Sequence, residues 1–111
     1  MALPHAAPGE IVDVRPLGDR LKQSVNTTLI KTDHTQVIRL VLPAGKAFPE
    51  HKVSGEITIQ CLEGLLEVAS PGRTQVLRAG DLLYLAGDDV HALKGLQDAS
   101  ALVTLLRTKK T

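Results

Sequence analysis

Two histidines stand where this chain could most readily do chemistry: His51, at the head of HKVSGEITIQCLEG, and His91, at the head of HALK. A neutral imidazole ligates a metal ion or, poised near neutral pH, carries a proton. Two imidazoles alone are a poor cage, because structural zinc sites use four protein ligands and catalytic ones usually three. A carboxylate beside them would make the two-histidine, one-carboxylate triad that suits Fe(II). Glu56 supplies it if a bulge after Ser54-Gly55 turns that side chain inward, since a one-residue shift exchanges the faces of a strand. Asp89 is the second candidate, two residues before His91 and on the same face if the segment is extended. Glu50 is adjacent to His51 and points away from it. His5 and His34 read as surface residues, Cys61 as a buried small hydrophobe, and Tyr84 as a core or interface side chain.

The elements that must position these groups are short apolar runs. Candidate strands span residues 11–14, 24–32, 35–42, 56–62, 65–70, 74–78, 81–86, 91–94 and 100–107, rich in Val, Ile, Leu and Thr. Between them lie turn formers: Pro43-Ala-Gly45, Glu63-Gly64, Ser70-Pro-Gly-Arg73, Ala79-Gly-Asp81 and Ala86-Gly-Asp-Asp89. Strands this short with turns at this spacing predict an all-β sandwich or barrel. Residues 15–23 offer the one weak helical turn, and residues 1–10, with Pro4, Pro8 and Gly9, read as a loose N-terminal arm before a single domain over 11–111.

Composition excludes several classes of function. Thirteen Lys and Arg against twelve Asp and Glu leave a formal charge of +1, with no basic stripe beyond the tail Arg107–Thr111. One Phe, one Tyr and no Trp supply neither the stacking rings of a single-strand binder nor an aromatic sugar platform. No nucleic-acid partner is expected. The N-terminus has no basic flank and no long apolar run, so neither a signal peptide nor a membrane anchor is expected. A single cysteine fits a reducing compartment, and the cytoplasm is the default.

From Pro43 to His91 the sequence resembles the cupin superfamily, whose first motif is G-x5-H-x-H-x3,4-E-x6-G and whose second is G-x5-P-x-G-x2-H-x3-N. Gly45, His51 and Gly64 fall in register with the first (45–64), and Gly80 and His91 with the second (80–95). The resemblance implies a jelly-roll barrel, the double-stranded β-helix of RmlC-like cupins. It also implies a metal site of three histidines and a glutamate, of which His51 and His91 match two. Val53 stands in place of the second histidine and Ile57 in place of the glutamate; Ala86, Asp88 and Gly95 replace the proline, glycine and asparagine of the second motif.

The leading expectation is a small cupin domain that binds a small molecule in its barrel pocket, with His51, Val53, Ile57, Gln60 and His91 as candidate pocket residues and no cofactor. Strand alternation leaves open whether Thr58 and Gln60 or their neighbours face inward. The alternative is a metal-dependent enzyme, a dioxygenase or isomerase, using His51, His91 and Glu56 or Asp89 to hold Fe, Mn, Ni or Zn. A third is a filled barrel acting through its surface, since this fold hosts many functions. A homodimer is expected, through residues 11–14 and 100–107, because a jelly roll keeps edge strands and SALVTLL would aggregate if left exposed.

Overall fold

Leucine-rich and β-branched runs become strands when every second side chain has an interior to enter. The computed structural model describes residues 5–52 and 54–106, with His51 described through its backbone alone. Nine strands form among the described residues: β1 (Thr27–Lys31), β2 (Thr35–Leu42), β3 (Ala47–His51), β4 (Glu56–Glu63), β5 (Leu65–Ser70), β6 (Arg73–Arg78), β7 (Leu82–Leu85), β8 (His91–Gly95) and β9 (Ala99–Leu106). They build a five-stranded sheet in the order β1-β2-β9-β4-β7 and a four-stranded sheet in the order β3-β8-β5-β6. Each pairing is antiparallel. The protein is all-β, a double-stranded β-helix.

Alternation sets the inner faces. In β4 the buried residues are Ile57, Ile59 and Cys61, and in β5 they are Leu66 and Val68. With Leu40 and Leu42 of β2, Leu77, Leu85, Leu93, Ala101 and Val103, they form one core between the sheets. Burying each large aliphatic side chain there contributes about 1.5–3 kcal/mol. Phe48, Ile38, Leu83 and Leu105 pack against that core while half-buried.

Two elements differ from the sequence expectation. Residues 11–14 form no strand; Ile11 is 97% exposed, and the segment runs past β1, which the nearby chain joins through Ala6 N–H to the Leu29 carbonyl at 2.9 Å. A β-prone sequence without a continuous partner ladder stays irregular. Conversely, β3 forms over AFPEH, where Pro49 argues against a strand. It is tolerated because β3 lies at the edge of its sheet and its register is irregular between Phe48 and His51. The weak helical segment becomes a 3-10 helix, Gly18–Gln23, that buries Leu21.

Glu63, at the end of β4, fastens the N-terminal segment to the sheet. One carboxylate oxygen accepts from the Leu17 N–H at 2.8 Å and from the Ser100 hydroxyl; the other accepts from the Gly18 N–H at 3.0 Å. Ser100 is wholly buried, and this carboxylate is its partner. Burial pushes the Glu63 carboxyl up, but the hydrogen bonds from Ser100, Leu17 and Gly18, helped by the charge of Arg39, outweigh it and hold the group below the ordinary glutamate value.

Backbone conformation singles out a few turn positions. Gly64, between β4 and β5, has φ of 75°, and a Cβ there would lie 2.0 Å from the Asp98 carbonyl oxygen. In the β7–β8 turn it is Asp88, not the neighbouring Gly87, that takes a positive φ, 69°. Aspartate tolerates that left-handed region better than most residues. Asp88 occupies the position at which the second cupin motif carries glycine.

Gly64→Ala is expected to destabilise the fold by at least about 2 kcal/mol, since both strain and a backbone collision follow; the urea midpoint measures it. Glu63→Gln leaves one of three donors without an acceptor and should cost about 1–2 kcal/mol at pH 7. Because the native pKa is lowered, this contribution is present above the unfolded-state value and fades as pH falls through the native one. Wild type and variant should therefore converge in acid, and parallel midpoints at both pH values would refute the clamp.

Candidate functional site between the sheets

Where the inner faces do not quite meet, a cavity of about 70 Å³ remains. The five-stranded sheet lines it with Ile38 and Leu40 of β2, Ile59 of β4, and Val103 and Leu105 of β9. The four-stranded sheet contributes Phe48 of β3, and His91 and Leu93 of β8. Leu40, Ile59, His91, Leu93 and Val103 are buried, whereas Ile38, Phe48 and Leu105 are half-buried and form the outer side. Among these described walls His91 is the one polar side chain.

His91 is 3% exposed, and its Nδ1 lies 3.1 Å from the Asp89 carbonyl oxygen. A carbonyl can only accept, so the bond requires the proton on Nδ1. His91 stands two residues from Leu93 in an extended strand, and both line the cavity.

The backbone of position 51 is set opposite that of His91 by an irregularity in β3. Phe48 is opposite Leu93, but three residues later His51, not Glu50, is opposite His91. One extra residue on β3 therefore lies in the segment around Pro49 and Glu50, a bulge that re-aims everything after it. Proline, lacking an N–H, is at home at such a site. Backbone register thus brings positions 51 and 91 together from segments forty residues apart in sequence.

The other candidates separate. Ile57 is 1% exposed and belongs to the core, paired with Leu85 and Leu105, but it is not a wall of the cavity. Gln60 and Thr58 lie on the opposite face from Ile57, Ile59 and Cys61, so Gln60 is corrected from pocket residue to the outer face of the sheet. Glu56 does not turn inward either. It is exposed and accepts the Tyr84 hydroxyl, and that bond to a carboxylate raises the Tyr84 pKa. Strand β4 runs on without a break from Glu56 to Cys61, so no bulge reverses its faces. Asp89 meets His91 through its backbone carbonyl, while its carboxylate adds negative charge at Tyr84 and does not line the cavity. Val53 lies outside the described residues.

A resident metal finds a poor donor set here. Of the four ligand positions that the cupin motif implies, Ile57 is apolar and packed in the core, Val53 is apolar, and both nearby carboxylates are directed elsewhere. No three His, Cys, Asp or Glu side chains gather among the described residues. Cys61, wholly buried, has its thiol pushed up by burial and donates weakly to the carbonyls of Glu63 and Gly64, which leaves it inert as a nucleophile.

Sequence reasoning missed most of the cavity walls: Ile38, Leu40, Phe48, Leu93, Val103 and Leu105. Alternation within TQVIRLVL and SALVTLLR marks an inner face for β2 and β9, but only the pairing of distant strands shows which of those residues meet.

No protein-family model and no curated protein matches the sequence. Solved structures do. A conserved protein of unknown function from Streptococcus pyogenes aligns with a TM-score of 0.76 at 17% identity, over 99% of this chain and 97% of its own. A cupin superfamily protein from Desulfitobacterium hafniense gives 0.75 at 18% identity, over 88% and 95%. An RmlC-like cupin family protein with a double-stranded β-helix fold, from Methanocaldococcus jannaschii, gives 0.73 at 19% identity, over 88% and 93%. The double-stranded β-helix of two antiparallel sheets is thus shared with RmlC-like proteins, and this chain has the cupin fold.

Proposed function

We propose that this chain binds a small molecule in the cavity between its sheets and does so without a resident metal ion. The observation that carries this reading is the cavity itself: a space whose described walls are apolar apart from the buried imidazole of His91, the ring held by the Asp89 carbonyl. Concave, mostly apolar sites with few convergent polar groups are the usual architecture of ligand binding. His91 supplies the polar contact, and in a catalytic setting it is the group that would accept a proton. A reducing compartment, the cytoplasm, suits the single buried thiol.

The metal-dependent reading keeps one observation in its favour, the cross-strand pairing of positions 51 and 91. Metal content of untagged protein decides between the two. Wild type is expected to hold far less than one Fe, Mn, Ni or Zn per chain, even after incubation with each, and to match a His51→Ala, His91→Ala variant. Stoichiometric metal lost in that variant would overturn the proposal.

The partner on the outer surface is a second copy of this chain. The outer face of β4, β7 and β9 exposes Leu82 (64%), Tyr84 (57%) and Leu106 (43%), with neutral Thr58, Gln60, Leu102 and Thr104 between them. Ile11, within the β-prone segment 11–14, is still more exposed. Of the 100–107 segment, Arg107 lies outside the described residues. Light scattering should report a dimer mass for wild type and a folded monomer for Leu82→Glu, Leu106→Glu; a wild-type monomer at micromolar concentration would remove the proposal.

A further inference from the structure

We propose that residues 5–24 form a strap that lifts from the outer face of the five-stranded sheet as one unit in acid, while the barrel beneath stays folded. Glu63 is the group whose protonation frees it.

The attachments of the strap follow the order of the strands. Ala6 donates its N–H to the Leu29 carbonyl of β1, and the Asp13 carbonyl accepts from the Arg39 guanidinium of β2 at 3.0 Å. Leu17 and Gly18 donate to Glu63 at the end of β4. The sheet order is β1-β2-β9-β4, so the segment crosses the outer face strand by strand, and Ser100 of β9 meets the same carboxylate.

What the strap buries is small. Leu40 and Leu42 belong to the core between the sheets, so Val41 between them points outward, yet it is 3% exposed. Leu21 of the strap is equally buried, and neither belongs to that core. Val12, Val14 and Leu17 are half-buried. A unit with so little buried apolar surface opens at a lower free energy than the central strands.

Its polar attachments are unequal. Arg39 serves the strap through one nitrogen, while its buried Nε has no acceptor among the described residues. Lys22 and Asp98 pair at 3.8 Å but stand in water, where such a pair contributes little. Glu63 is different: one carboxylate takes three donors, two of them from the strap. Bonds to an ionised acceptor are about twice as strong as neutral ones.

The groups facing Glu63 are the Ser100 hydroxyl, the two strap amides, Arg39 of β2 and the Cys61 thiol of its own strand. Arg39 stays charged in acid, and burial keeps the thiol protonated, so the carboxylate is the member that changes. Its value is lowered only while the strap is bound. Opening therefore takes up a proton, is favoured as pH falls below the ordinary glutamate value, and levels off below the bound one. Asp13 also loses charge in acid, but its carboxylate accepts from the Arg15 N–H within the strap, a bond that survives release.

The test is native-state amide exchange on the full chain, corrected for the intrinsic effect of pH. Leu17, Gly18 and Ser24 report on the strap, Ile59 and Val103 on the central strands. The three strap amides should lose protection together, by up to about tenfold per pH unit below the ordinary glutamate value, while Ile59 and Val103 keep theirs. Glu63→Gln should raise strap opening about tenfold at neutral pH and remove the acid response. Asp13→Asn and Asp98→Asn should retain it.

Central strands that open in step with the strap, or strap amides that exchange independently of one another, would overturn the separate unit. Strap protection indifferent to pH, or an acid response that persists in Glu63→Gln, would overturn Glu63 as the trigger. Should that variant fail to fold, loss of the response in Asp13→Asn or Asp98→Asn would do the same.

Discussion

The register of β9 between β2 and β4 is the constraint on which the rest of the structure depends. Eight consecutive residues of β9 are opposite β2, and most of the same residues are opposite β4 on the other side. A slip of one residue would reverse every face. Val103 and Leu105 would leave the cavity wall, Ala99 and Ala101 would leave the core, and Ser100 would no longer reach Glu63. One alignment thus fixes the interior, the cavity and the attachment of the N-terminal segment together.

The second sheet owes its arrangement to a smaller device. The irregularity around Pro49 in β3 exchanges Glu50 for His51 opposite His91. Edge strands accommodate such bulges because only one side of their ladder is in use.

These two arrangements explain why the chain combines a cupin fold with an unusual interior. Where the family motif places a glutamate, Ile57 is shut into the core between Leu85 and Leu105. Removing ionisable groups makes the interior drier. Charge is instead kept outside: Glu56 with Tyr84 on the outer face, and Glu63 with the N-terminal segment at the end of β4.

The sequence by itself determined the all-β class, because alternation and turn chemistry are local and repeat along the chain. TQVIRLVL, LLEVAS and EITIQCLE became strands almost residue for residue. Gly64 announced a turn that only glycine fits, since backbone strain is a property of one position and its neighbours. His51 and His91 could be picked out in the same way, by residue type and spacing. Which way β4 faces was beyond the sequence: Gln60 and Glu56 turned outward because the whole strand obeys one parity, set by its pairing with β9 and β7. Strand β3 was hidden by Pro49, whose penalty vanishes at a sheet edge, and IVDV promised a strand that found no partner ladder. The cavity walls came from β2, β3, β4, β8 and β9, distant segments brought together only by the fold. Local propensity is written in neighbouring residues, whereas pairing, parity and enclosed volume arise from contacts between segments far apart in the chain, and those the tertiary structure alone decided.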